Sequence, residues 1–207
     1  MSLGIVGCHR VGKTTLAKAI SEKLDMPFVV SDVAGVLNSL DLDASKKMDF
    51  STRMRAQHAI LEWHCSQWSE HRVFVTDRTP MDFLMYTMGD IDQSSSDWDM
   101  GVLESYANAC FSATNRHFSL VLQVEPGIPI VKTKKNTGAC VPAFMEKLNL
   151  IMKGLLCDSR LETEAAAMPR DILNHDQRLD IACDYVEVMK NLSTSEGLAS
   201  PSNSLLH

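Results

Sequence analysis

The 207-residue sequence is short of the features that would place it in a membrane or an oxidising compartment. No apolar run approaches the roughly 20 residues that cross a bilayer. The six cysteines (Cys8, Cys65, Cys110, Cys140, Cys157, Cys183) are scattered and form no Cys-x-x-Cys pair. Neither a zinc site nor a disulfide framework is therefore expected; they read as small buried or loop thiols in a reducing cytosol. Excess positive charge is also missing. A formal net charge of −6 removes a broadly basic nucleic-acid surface and leaves room only for a local basic groove. There is no internal repeat. A glycine motif begins at residue 7, so no signal peptide is expected ahead of it, and the expected location is cytoplasmic. What remains, with 45% hydrophobic and 22% charged residues, is the composition of a soluble globular domain. One domain over residues 1–190 is expected, followed by a serine-rich, apolar-poor tail over 191–207 that reads as disordered.

The motif is G-C-H-R-V-G-K-T, Gly7 to Thr14. It fits Gly, four residues, Gly-Lys-Ser/Thr, a loop that holds a polyphosphate. Successive backbone N–H groups form an anion-binding nest, and the glycines allow the torsions and close approach it needs. Gly7, Cys8, His9, Arg10, Val11, Gly12, Lys13, Thr14 and Thr15 are expected to hold ATP. Within that set, Lys13 reaches the β- and γ-phosphates, and the Thr14 hydroxyl binds Mg²⁺. The context suits the motif. Leu3, Ile5 and Val6 form a short strand before it, and Leu16, Ala19, Ile20 and Leu24 give the following segment helical spacing. That helix aims its N-terminus at the anions. The bland alternative is an ordinary glycine turn.

Further along, Phe28-Val29-Val30 reads as a second buried strand, with Ser31 and Asp32 at its carboxyl end. In an open parallel sheet that edge faces the ligand crevice, which makes Asp32 a candidate base for an acceptor hydroxyl. It is equally a candidate N-cap for a helix running to Leu40. Phe50 to Glu70 reads as a long helix with Phe50, Met54, His58, Leu61, Cys65 and Trp68 inward; Arg53 and Arg55, on other faces, are solvated or grip an acceptor phosphate. Val73 to Thr76 is the third strand. Asp77 after it stands where a Walker-B carboxylate orders Mg²⁺, and Arg78 is placed to touch the acceptor or the moving phosphoryl group. The duller alternative is a cap and a surface ion pair. Pro80 falls in the first turn of the next helix.

Trp98 to His117 reads as a helix with Trp98, Val102, Tyr106, Ala109 and Ala113 inward. Phe118 to Val124 is the fourth strand. Glu125 to Val141, with Lys132, Lys134 and Lys135, has the make-up of a closing lid; a solvated loop explains it equally. Pro142 to Cys157 is helical, a fifth strand is expected within Leu161 to Leu173, and Asn174 to Lys190 is the last helix. The loop near Leu173 and Asn174 is a candidate adenine contact. Strands reached through helical segments imply right-handed crossovers. The expected fold is α/β, a P-loop NTPase fold of three α/β/α layers around a five-stranded parallel sheet.

Together, the loop, Asp32, Asp77-Arg78 and the charged late loop resemble the P-loop kinases of small molecules and nucleotides over most of residues 1–190. The run Asp77 to Asp82, Asp-Arg-x-Pro-x-Asp, is similar to the Asp/Glu-Arg-Ser element of deoxynucleoside and ribosylnicotinamide kinases. Asp32 matches the position where phage polynucleotide kinases and several nucleoside kinases carry their general base. The chain as a whole resembles small bacteriophage P-loop kinases, including the 5-hydroxymethyluracil DNA kinases. The resemblance implies an ATP- and Mg²⁺-dependent phosphotransferase, in a host cytoplasm, with Lys13, Asp32 and Arg78 catalytic and Thr14 and Asp77 at the metal. Its acceptor is expected to be a hydroxyl of modified DNA, or else a free nucleoside, nucleotide or vitamin-like metabolite. A third reading, a nucleotide-operated switch, is disfavoured because Arg78, not a hydrolytic glutamate, follows Asp77.

Overall fold

In the computed structural model, residues 1–43, 46, 48–91, 99–128 and 141–198 are described, with side chains through residue 192. β1 (Ser2–Val6) is buried at every position, and so is β3 (Leu120–Val124). Strands covered on both faces belong to a sheet sandwiched between helices. β1 pairs with β2 (Phe74–Thr76) on one side and β3 on the other, and β4 (Glu164–Met168) lies beyond β3. All pairings are parallel, in the order β2-β1-β3-β4. The first strand of the chain is therefore central, and its carboxyl end lies in the middle of the loop-bearing edge.

The parallel α/β architecture is as expected, but the sheet has four strands among the described residues, one fewer than the pattern predicts. The segment expected as a second strand makes a single bridge, Phe28 to Val75. Val75 N–H donates to the Pro27 carbonyl at 2.9 Å and Val29 N–H to the Val75 carbonyl at 2.9 Å. Pro27 has no N–H to extend the ladder, and Val30 has turned outward, 63% exposed. The segment still flanks β2 and delivers Ser31 and Asp32 to the same edge of the sheet.

Helix α1 (Lys13–Leu24) packs with α7 (His175–Leu198), and these two contact β2, β3 and β4. A second group comprises α3 (Phe50–Ser69), α4 (Pro80–Gly89), α5 (Met100–His117) and α6 (Pro142–Leu156), with the short α2 (Val33–Ser39) against α3. Two expectations shift. The last helix continues past Lys190 to Leu198: no proline intervenes, and serine and threonine cost a helix only a few tenths of a kcal/mol each. Val102, expected inward, is 39% exposed, because the face of α5 that packs is set by Leu103, Tyr106 and Cys110. Trp98, the lid lysines Lys132, Lys134 and Lys135, and residues 199–207 lie outside the described residues. No described helix is long and apolar enough to cross a membrane.

Candidate active site

The loop leaves β1 with Gly7 at φ 141° and enters α1 through Gly12 at φ 91°, both in the region that penalises a side chain. A Cβ on Gly7 would stand 2.4 Å from the Val124 carbonyl oxygen, so the loop closes directly on the end of β3. Lys13 is 7% exposed. Its ammonium donates to the Gly7 carbonyl at 2.6 Å and the Cys8 carbonyl at 2.9 Å, curling over the loop whose amides would face phosphate. Burial lowers Lys13 to about 8, and the Asp82 carboxylate pulls the other way. The Thr14 hydroxyl donates to the Asp77 carboxylate. The structure thus brings loop lysine, loop hydroxyl and strand-end carboxylate together as the motif requires.

Beneath them lies Asp82, the last residue of the Asp77–Asp82 run. Asp82 is fully buried. It accepts from the backbone N–H of Gly7 at 3.3 Å and of Thr79 at 3.0 Å. Its Oδ1 stands 4.0 Å from Lys13 Nζ and 3.9 Å from Arg78 Nη1. With Thr79 it also forms the capping box of α4, which satisfies the orphan donors of the helix start. One carboxylate therefore fastens α4, the loop and both candidate catalytic cations. Burial pushes its carboxyl up; Lys13, Arg78 and the two N–H donors act against that. The local signal was available: an acid three residues after a threonine, with Pro80 between, marks a helix start. Its second use, under Gly7, depends on tertiary contact. Arg178, on α7, is the other unremarked residue. It is 3% exposed and donates to the Val11 carbonyl at 2.9 Å and the Ile172 carbonyl at 2.6 Å, bracing the loop from the last helix.

A cavity of about 330 Å³ opens beside the loop, within the range of small-molecule sites. α2 contributes Val33 and Leu37, α3 contributes Arg53, Ala56, Gln57 and Ile60, and α4 contributes Phe83 and Tyr86. Lys46, Met48, Arg78, Asp90 and His9 complete the wall. Arg53 is paired with Asp90, so the arginine expected to be solvated or to grip a phosphate lines this cavity with its charge matched. The Gln57 amide oxygen accepts from the Tyr106 hydroxyl at 3.2 Å, which orients that side chain. Arg55 is exposed.

Asp32 is not in this wall. It is exposed and caps α2, accepting from the Gly35 N–H at 2.8 Å. It borders a separate hollow with Ser39, Ala59, Glu62 and Trp63. Of the two roles open to it in the sequence, the structure shows the cap. Behind it, buried His64 holds the neighbouring residue: its Nδ1 lies 2.7 Å from the Ile60 carbonyl and its Nε2 3.0 Å from the Ser31 hydroxyl. The Ile60 contact makes Nδ1 the donor, so Ser31 donates to Nε2. Two cations that pair at the residue after β3 are also committed. Lys153 and Arg170 pair with Glu125 at 2.9 and 3.1 Å, and Arg170 pairs with Glu146 at 3.0 Å.

No family model and no curated protein matches the sequence. Solved structures do share its fold. A deoxyadenosine kinase from M. mycoides, with dCMP and a flexible dCDP bound, aligns at TM-score 0.61 and 17% identity over 91% of this chain and 100% of its own. Thymidylate kinase from Candida albicans aligns at 0.59 and 16%, over 92% of each chain. NadR protein in complex with NR reaches 0.65 at 12% identity, over 99% of this chain and 52% of its own. The fold around this loop and cavity is the α/β fold of the P-loop nucleotide kinases.

Proposed function

We propose that the protein is an ATP-dependent kinase that transfers the γ-phosphoryl group to a hydroxyl on a nucleoside-sized acceptor bound in the 330 Å³ cavity. The observation that carries this is the join between two half-sites. Lys13, Thr14 and Asp77 converge on the loop, and Arg78, tied through Asp82 to the same loop, lines the cavity next to it. A donor on the loop and an acceptor in the cavity would share the Arg78 guanidinium.

Phosphoryl transfer needs mainly positioning and charge stabilisation. Lys13 supplies a nearly buried cation at the donor phosphates, and Arg78 a second one on the acceptor side. Mg²⁺ fits the Thr14–Asp77 pair: a hydroxyl and a carboxylate are hard oxygen donors, and the described residues hold no cluster of three metal-binding side chains, so the nucleotide would supply other ligands. When bound, the ion neutralises charge on the donor phosphates.

The cavity suits a free nucleoside or nucleotide better than a DNA strand. Its walls are Phe83, Tyr86, Leu37 and Ile60, its polar end is Gln57 with the Arg53–Asp90 pair, and an arginine already matched to a carboxylate is a poor start to a basic DNA path. Hydroxymethyluracil in DNA would have to enter as a single extruded base. The test is incubation with γ-labelled ATP and a panel of nucleosides, nucleoside monophosphates, ordinary DNA and hydroxymethyluracil DNA. Label in a nucleoside or monophosphate supports the proposal. Label in the modified DNA alone replaces the acceptor, and label in none overturns the kinase reading.

A further inference from the structure

With Asp32 outside the wall, the acceptor's proton needs another destination. Among the described residues of the phosphate loop, His9 alone lines the cavity. Its ring packs on Tyr86 at 4.6 Å between centroids, tilted by 32°, and Arg78 sits over the same tyrosine ring at 5.3 Å. Neither ring nitrogen of His9 has a hydrogen-bond partner among the described residues. The Tyr86 hydroxyl is likewise buried without a hydrogen bond of good geometry. Polar atoms left unspent at the edge of a cavity suit a ligand that brings a hydroxyl.

Resting on the kinase reading above, we propose that His9 receives the reacting hydroxyl of the acceptor, accepting its hydrogen bond through a ring nitrogen and taking its proton during transfer. The other ionisable groups of the wall cannot do this. Lys46, Arg53 and Arg78 are cations, Asp90 is paired with Arg53, and burial pushes the Tyr86 phenol up so that it stays protonated. Burial, then the charges of Arg78, Lys13 and Arg10, hold His9 down at about 4, so its imidazole is neutral near pH 7 and free to accept.

In the step, the hydroxyl O–H bond breaks and its proton goes to the imidazole. The oxygen lone pair forms the new bond to the γ-phosphorus. The bond from that phosphorus to the β,γ-bridging oxygen breaks, and its electron pair leaves on ADP. The imidazolium then returns its proton to water. The loose transition state of phosphoryl transfer asks little of a base until the new bond forms, which suits a weakly basic imidazole. Phosphate charge at the loop would offset the cations that otherwise disfavour imidazolium.

His9→Gln and His9→Phe test this, with γ-labelled ATP and thymidine, 2′-deoxyadenosine or 5-hydroxymethyl-2′-deoxyuridine as probes. Loss of a general base typically costs about 10²–10⁴ in rate, so kcat of His9→Phe should fall at least a hundredfold and at least tenfold further than ATP affinity. Glutamine accepts a hydrogen bond but no proton; it should keep the KM for the probe within about threefold while kcat falls like that of the phenylalanine variant. A kcat within threefold of wild type in either variant overturns the proposal. An independent arm needs no turnover: ¹⁵N NMR of the His9 ring in wild type with Mg²⁺, AMP-PNP and each probe. A ring-nitrogen shift on adding a probe supports the contact, and no shift with any probe overturns it. A shift without transfer to any probe overturns the kinase reading and the proton step together, whereas transfer without a shift overturns the role of His9 alone.

Discussion

Replacing Asp82 by asparagine separates the architecture of the site from its chemistry. The carboxylate faces N–H donors on both oxygens, Gly7 on one and Thr79 on the other, and two cations at about 4 Å. An amide offers one acceptor, so one N–H loses its partner and meets a donor. The cations lose the buried carboxylate that stands about 4 Å from each of them. Removing one side of a buried pair costs about 3–5 kcal/mol. The N···O separations here, 4.0 and 3.9 Å, are long, so the lower end, about 3 kcal/mol, is the expected loss. At about 2–4 °C per kcal/mol for a chain of this size, the midpoint of a thermal melt followed by circular dichroism should drop by about 6–12 °C. Nucleotide should still bind, because its phosphates provide Lys13 with a replacement anion. A melt within 2 °C of wild type would refute the reasoning about the buried carboxylate. An unchanged melt with a hundredfold weaker nucleotide would show instead that Asp82 contacts the ligand.

Four other outcomes are expected. Lys13→Ala should abolish phosphoryl transfer, measured with labelled ATP. Gly7→Ala places a methyl 2.4 Å from the Val124 carbonyl at φ 141° and should cost at least about 2 kcal/mol in urea denaturation. Asp32→Asn preserves an N-cap, because asparagine caps as well as aspartate; stability and turnover should both stay near wild type, and a hundredfold slower turnover would restore Asp32 as the base. His64, lowered to about 4 chiefly by burial, with Arg78 adding to it and the Ile60 carbonyl opposing, binds a proton more readily unfolded than folded. Its contribution is complete above about pH 6.5 and is lost toward pH 4 at up to about 1.4 kcal/mol per pH unit. The urea midpoint should fall over that window, less steeply in His64→Asn.

The loop was legible because its information is local: eight consecutive residues, a strand before and a helix after. Asp77 and Arg78 followed for the same reason, at the end of a short apolar run. The cavity was not, because its wall joins His9, Arg53, Gln57, Arg78, Tyr86 and Asp90, which only the packing of α3 against the α4 side brings together. The histidine that drew notice on α3 was His58, by its place on an apolar stripe; the buried one is His64, on a neighbouring stripe. Periodicity marks a face, and a 20-residue helix packed on several neighbours buries more than one. The Phe28–Val30 segment failed as a strand for a reason the sequence did carry: a leading proline suits an edge.

Placing β1, earlier in the sequence than its sheet partners, at the centre of the sheet has a consequence for the newborn chain. β1 emerges from the ribosome with neither neighbour made; Phe74 and Leu120 must follow before both its edges are paired. The phosphate loop waits longer still, since the guanidinium that clasps the Val11 carbonyl comes from Arg178. Such distant closures delay folding, so the segment around β1 stays an open apolar ribbon until α7 has been translated. A ribosome-stalled chain ending before α7 should therefore remain protease-sensitive around β1 and the phosphate loop, and one extended through Leu198 should not.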